Sequence, residues 1–170
     1  MLFTMSDVTV VDRGWGLSVY ISNVFKSKVI HPCTISLPTI ETLFIETVNE
    51  KCRLLIISIC RLPSANAILF IDKLSELQSS ISGNGHDEII LCVDFNLDIL
   101  NYDNNENTLK LLNSLTSHSL VPIITKPSRI TNQTVTLIDN IIFMYKPTKR
   151  VCFCYSYLLY IYITIFHYLF

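Results

Sequence analysis

The sequence has no excess of basic residues: 13 Lys and Arg stand against 14 Asp and Glu, for a formal net charge of -1. A chain that holds nucleic acid through bulk charge alone needs a more basic surface, so any such role rests on a local site. No C-x-x-C pair occurs, and no His stands at zinc-finger spacing from the six cysteines, Cys33, Cys52, Cys60, Cys92, Cys152 and Cys154. A finger or ribbon is therefore not read here, and the thiols are expected reduced, several beside apolar runs where Cys acts as a small core residue. Residues 1–13 lack a basic start before a hydrophobic run, and Asp7 interrupts them, so no secretory leader is read. There is no internal repeat and no low-complexity tract. Asn132-Gln133-Thr134 is a glycosylation sequon by pattern only.

What is present is enough chain, 170 residues, for one domain with a real core. Residues 17–22 read as a strand, introduced by "RGWG" (13–16). Residues 42–48 and 53–60 read as two more, joined by a hairpin turn at 49–51. "LLIISI" (54–59) is apolar without alternation, which predicts burial on both faces. Over 65–81 the period changes: Ala67, Ile68, Phe70, Ile71, Leu74, Leu77 and Ile81 fall mostly on one helical face, and 82–85 end it. Residues 88–93 give the next buried strand, closing on Asp94. Residues 104–118 predict a second helix with Leu109, Leu112 and Leu115 inward and Asn104 or Asn105 as N-cap. A loop with Pro122 and Pro127 follows, then a last strand at 136–143. Strands alternating with helices argue α/β, and the early hairpin argues mixed pairing.

Two stretches need a further account. In "ILCVDFNLDIL" (90–100) an apolar strand ends on Asp94, with Asn96 two places on. Both residues turn chains well, so a plain turn is one reading. The other is a rigid strand presenting a carboxylate and an amide to a phosphate and a metal. In "VCFCYSYLLYIYITIFHYLF" (151–170) there is no Lys, Arg, Asp or Glu, and Lys146, Lys149 and Arg150 lie just before it. Its length matches a membrane span, with the N-terminal domain kept on the cytoplasmic side. Its aromatics are spread along it and not gathered at the ends, which fits a foreign extension equally well. The chain thus divides into a domain at 1–150 and a hydrophobic tail at 151–170.

Taken in order, "RGWGLSVYIS" (13–22), "ETLFIETV" (41–48), "LLIISICRLPS" (54–64), "IILCVDFNLDIL" (89–100), "LVPIITKPSRIT" (120–131) and "TLIDNIIF" (136–143) resemble the endonuclease domain of non-LTR, jockey-like retrotransposon proteins. That domain belongs to the endonuclease/exonuclease/phosphatase superfamily, and the resemblance covers roughly 10–145. It implies a sandwich of two β-sheets flanked by helices and hydrolysis of phosphodiesters in DNA with a divalent metal, usually Mg²⁺. It implies that Asp94 orients or deprotonates the attacking water, that Asn96 binds the scissile phosphate, and that Asp139 orients a catalytic His. Arg129, in "PSRIT", is then a nucleic-acid backbone contact, against the plainer reading of a solvated loop arginine.

The departures are as informative. Val93 stands where the family has Gly, and Cys60 where a phosphate-holding Tyr is usual; a thiol has neither the reach nor the donor strength of a phenol. The metal-binding Glu of the family lies upstream of this sequence, with Asp7 and Asp12 in no matching context. A Ser-Asp-His ending is replaced by the tail, where His167 has no Asp before it. The metal ligands are therefore unassigned. The first reading is an inactive, retrotransposon-derived endonuclease-like fragment, in nucleus or cytoplasm. The alternatives are an active metal-dependent nuclease or phosphoesterase, and a tail-anchored membrane protein with a non-catalytic domain.

Overall fold

The computed structural model describes residues 8–13, 17–22, 25–30, 38–48, 53–81, 85–144 and 161–165. The centre of the molecule is a six-stranded sheet. Its strands are β3 (Lys26–Ile30), β4 (Ile40–Val48), β5 (Arg53–Arg61), β6 (Glu88–Asp94), β10 (Asp139–Met144) and β7 (Leu120–Pro122), in that spatial order. β5 and β6 are parallel, and every other neighbouring pair is antiparallel. A parallel pair needs a crossover, supplied here by α1 (Ala67–Ile81). A smaller sheet holds β1 (Val8–Arg13), β2 (Leu17–Ser22) and β11 (Ile161–Ile165), with β2 central. β8 (Arg129–Ile130) and β9 (Val135–Thr136) form a separate hairpin.

The apolar run of β5 is buried on both faces for a visible reason. Leu55, Ile57 and Ile59 pack with Phe70, Ile71, Leu74 and Leu77 of α1 and with Leu111 and Leu115 of α2 (Glu106–Ser117). Leu54 and Ile56, pointing the other way, pack with Leu17, Val19 and Ile21 of β2. The two-sheet sandwich with helices on its outer face is thus present. The hairpin expected between β4 and β5 is seen in their pairing, Val48 opposite Arg53, while its turn lies outside the described residues.

Two expectations are corrected. In α2, Asn105 is the N-cap, its Oδ1 accepting from the N–H groups of Asn107 and Thr108 at 3.0 and 3.2 Å. Thr108, Leu111 and Leu115 face inward, whereas Leu109 is exposed. The sequence offers leucine at both 111 and 112, and the cap position decides between the two phases. The single strand expected over 136–143 is broken at Leu137 and Ile138, whose backbone groups bond to the loop after β6: Phe95 N–H donates to the Ile138 carbonyl at 2.8 Å and Ile99 N–H to the Leu137 carbonyl at 2.9 Å. Of the 151–170 tail only Ile161–Ile165 is described, and it is a strand paired antiparallel with β2, at the edge of the small sheet as described. Among the described residues no helix is long and apolar enough to cross a membrane. The rest of the expected span lies outside the described residues.

Candidate functional site

β6 delivers Asp94 fully buried as its last residue. The chain then turns sharply. Asp94 Oδ1 accepts from Asn96 N–H at 2.9 Å, and Asn96 takes a φ of 48°, a left-handed conformation that Asn tolerates better than most residues. Phe95 between them is buried, edge-on to Phe70 with ring centroids 6.2 Å apart. The turn is clamped from β5. The Arg61 guanidinium is buried and donates to the carbonyls of Phe95 (2.6 Å), Ala65 (2.5 Å) and Asn96 (2.8 Å). Asn96 Nδ2 in return donates to the Arg61 carbonyl at 2.6 Å. So the turn reading of this stretch is fulfilled, and part of the Asn96 amide's donor capacity goes to structure.

The sheet register then does something the linear sequence does not display. Glu41 on β4 is opposite Cys60 on β5, Cys60 opposite Asp94 on β6, and Asp94 opposite Asp139 on β10. Residues opposite one another share a face, so three carboxylates and a thiol form one rung across four strands, on the side of the small sheet. The next rung inward is Leu43, Ser58, Cys92 and Ile141, nearly all apolar. Cys60 Sγ donates to Asp94 Oδ2 over a long 3.9 Å. Burial first, then the charges of Asp94, Glu41 and Asp139, push the Cys60 thiol up to about 12. It is therefore a protonated thiol at neutral pH, a poor nucleophile and a weak donor.

Of the expected site residues, Asp94, Asn96, Asp139 and Cys60 lie together. Arg129 is exposed on the β8–β9 hairpin, next to Ser128, whose hydroxyl accepts from the N–H groups of Ile138 and Asp139 at 3.1 and 3.2 Å. Asp12 lies on β1, opposite Ser18, while Asp7 and His167 fall outside the described residues. Sequence reasoning missed Glu41 and Arg61. The signal for Arg61 was present, since a charged residue directly following a buried run must be satisfied somewhere.

The Mg²⁺ that the resemblance implies does not fit these residues. Mg²⁺ demands near-octahedral oxygen ligands at about 2.0–2.1 Å. Among the described residues no group of three or more His, Cys, Asp or Glu could hold a metal ion.

No family model and no curated protein matches the sequence. Solved structures do match. The endonuclease domain of TRAS1, a telomere-specific non-LTR retrotransposon, superposes with a TM-score of 0.55 at 11% identity, over 72% of this chain and 57% of that one. A humanized D. rerio TDP2 superposes with a TM-score of 0.62 at 13% identity, over 85% of this chain and 64% of that one. The chain has the endonuclease/exonuclease/phosphatase fold. D. rerio TDP2 in complex with a single-strand DNA product gives a TM-score of 0.58 at 13% identity, covering 85% of this chain and 65% of that one. The chain thus spans less than two thirds of the length of these endonuclease/exonuclease/phosphatase-fold domains.

Proposed function

We propose that this is a retrotransposon-derived endonuclease-like domain whose ancestral activity was metal-dependent hydrolysis of DNA phosphodiesters, and that this chain no longer catalyses it. The observation that carries the ancestry is the opposition of Asp94 and Asp139 at the exit of β6, on a fold shared with the TRAS1 endonuclease domain. On this reading Asp94, Asn96 and Asp139 are the surviving catalytic positions, DNA is the inherited partner, and the chain works in the nucleus or cytoplasm.

Three features support loss of the reaction. Among the described residues, no group of three or more His, Cys, Asp or Glu could hold a metal ion. The position expected for a phosphate-holding phenol carries Cys60, a thiol kept protonated by burial and by three acids. And the rung gathers negative charge on the face a phosphate would have to approach, which repels a substrate unless a cation offsets it. Removing one electrostatic stabiliser of a charged transition state costs about a hundred- to thousand-fold in rate, and groups that act as a unit fail together.

The test is nicking of supercoiled plasmid DNA with Mg²⁺ or Mn²⁺. The expected outcome is no nicking above the protein-free control, with Asp94→Ala indistinguishable from wild type. Nicking by the wild type that disappears in Asp94→Ala overturns the proposal and makes the chain an enzyme.

A further inference from the structure

The far end of β4 carries a second charged cluster, on the helix-covered face and remote from the acidic rung. Glu46 is buried, its side chain only 5% exposed. Lys28 of β3, opposite it in register, places Nζ 2.8 Å from Oε1. Arg53 of β5 donates to Oε2 through Nε at 2.7 Å and Nη2 at 2.6 Å. His86, buried in the turn that leads into β6, places Nε2 3.0 Å from Oε2 and adds a third positive charge when protonated. The same turn brings Asp87, whose Oδ2 accepts from Arg53 N–H at 2.8 Å. Lys26, on the Lys28 face of β3, is exposed.

The elements gathered on this carboxylate differ in what else holds them. β5 is hydrogen-bonded on both sides and buried on both faces. β6 likewise has two neighbours. Among the described residues β3 is an edge strand with one neighbour, and none of its five residues is fully buried. We propose that Glu46 is an acid-released latch: β3, β5 and the turn before β6 are fastened to one carboxylate, and protonating it frees the edge strand β3 while the rest of the sheet stays folded. Without that negative charge, Lys28 and Arg53 are like charges with no counter-ion between them, and β3, the strand with the fewest other ties, is the element that yields.

The direction with pH follows from the same contacts. The hydrogen bond from Lys28, against the opposing effect of burial, and then Arg53 and His86 hold the Glu46 carboxyl at about 2, below its ordinary 4.5. A group depressed in the folded state contributes its full stability above its unfolded value and loses it as pH falls through the folded one. The window for release is therefore between about pH 4.5 and 2.

Amide hydrogen exchange by NMR on the full chain, corrected for the intrinsic pH dependence of exchange, reads each strand separately. Wild-type protection in β3 should fall roughly a hundredfold as pH drops through that window, with β5 and β6 still protected. Glu46→Gln should lack β3 protection already at pH 7 and show no further step. Lys28→Met, which cuts only the tie from an exposed lysine, should shrink the step and decides the matter if Glu46→Gln does not fold. A β3 protection that is flat with pH, a step that survives in Glu46→Gln or is undiminished in Lys28→Met, or loss of β5 together with β3 overturns the latch.

Discussion

Glu46, near one end of β4, is met by Lys28, Arg53 and His86; Asp94, on the rung that crosses the other end, is met by a backbone amide and a thiol. Both carboxylates are buried, and both sit on the same sheet. At the Glu46 end each charge has an opposite within ion-pair distance, and the result is an ordinary structural anchor. At the other end Glu41, Asp94 and Asp139 share a rung with Cys60; the Arg61 guanidinium feels the charge of Asp94 but gives its hydrogen bonds to carbonyl oxygens. Stability alone gives no reason to line up like charges in this way. That line of like charges is the feature that the proposed reading takes as inherited.

The contrast can be broken at its weakest assumption, that neutral backbone bonds and not ion pairs hold the acidic end together. Arg61→Met should then be the most damaging change there. It strips three carbonyl oxygens of their donor, and at about 1–3 kcal/mol for each buried group left unsatisfied the loss should reach roughly 3 kcal/mol or more in urea unfolding. A cost below about 1 kcal/mol would mean that the turn holds itself.

Smaller effects sharpen the same point. Asn96→Ala forces a left-handed backbone onto a residue that resists it and removes the bond to the Arg61 carbonyl, for about 1–3 kcal/mol in all. Asn96→Gly keeps the backbone free and should cost clearly less, measured side by side in the same denaturant. The smallest effect is on a titration. Asp94→Asn removes the nearest negative neighbour of Cys60, so its thiolate becomes easier to form; the alkylation profile of the Cys60 peptide, followed by mass spectrometry, should move to lower pH by about one unit. Burial, the largest cause of the upward shift, remains, so a complete return to the ordinary thiol value would contradict the account.

Much of the large sheet was legible because its strands are long apolar runs: 54–59 and 89–93 admit no other place than a buried centre. α1 was legible from its helical spacing. β3 was not, since its residues are Lys, Ser, Lys, Val and Ile, and only its pairing with β4 makes it a strand. β8 and β9 are two residues each and invisible to any periodicity. For the site, Asp94 and Asn96 were legible from the break in an apolar run, and Asp139 through resemblance. Glu41 was not, although the segment it opens was read as a strand. Its face depends on the register of the β4–β5 pairing, and a slip of one residue would turn it to the other side of the sheet.

The bonds that fasten Leu137 and Ile138 to Phe95, Asp98 and Ile99 have a consequence for how this chain tolerates gained and lost codons. They set the start of β10 from the β6 side, and the exposed hairpin of residues 128–136 is tied to the same point by Ser128, whose hydroxyl accepts from the Ile138 and Asp139 N–H groups. In-frame insertions and deletions at the hairpin's tip, between Thr131 and Thr134, should therefore leave Asp139 opposite Asp94.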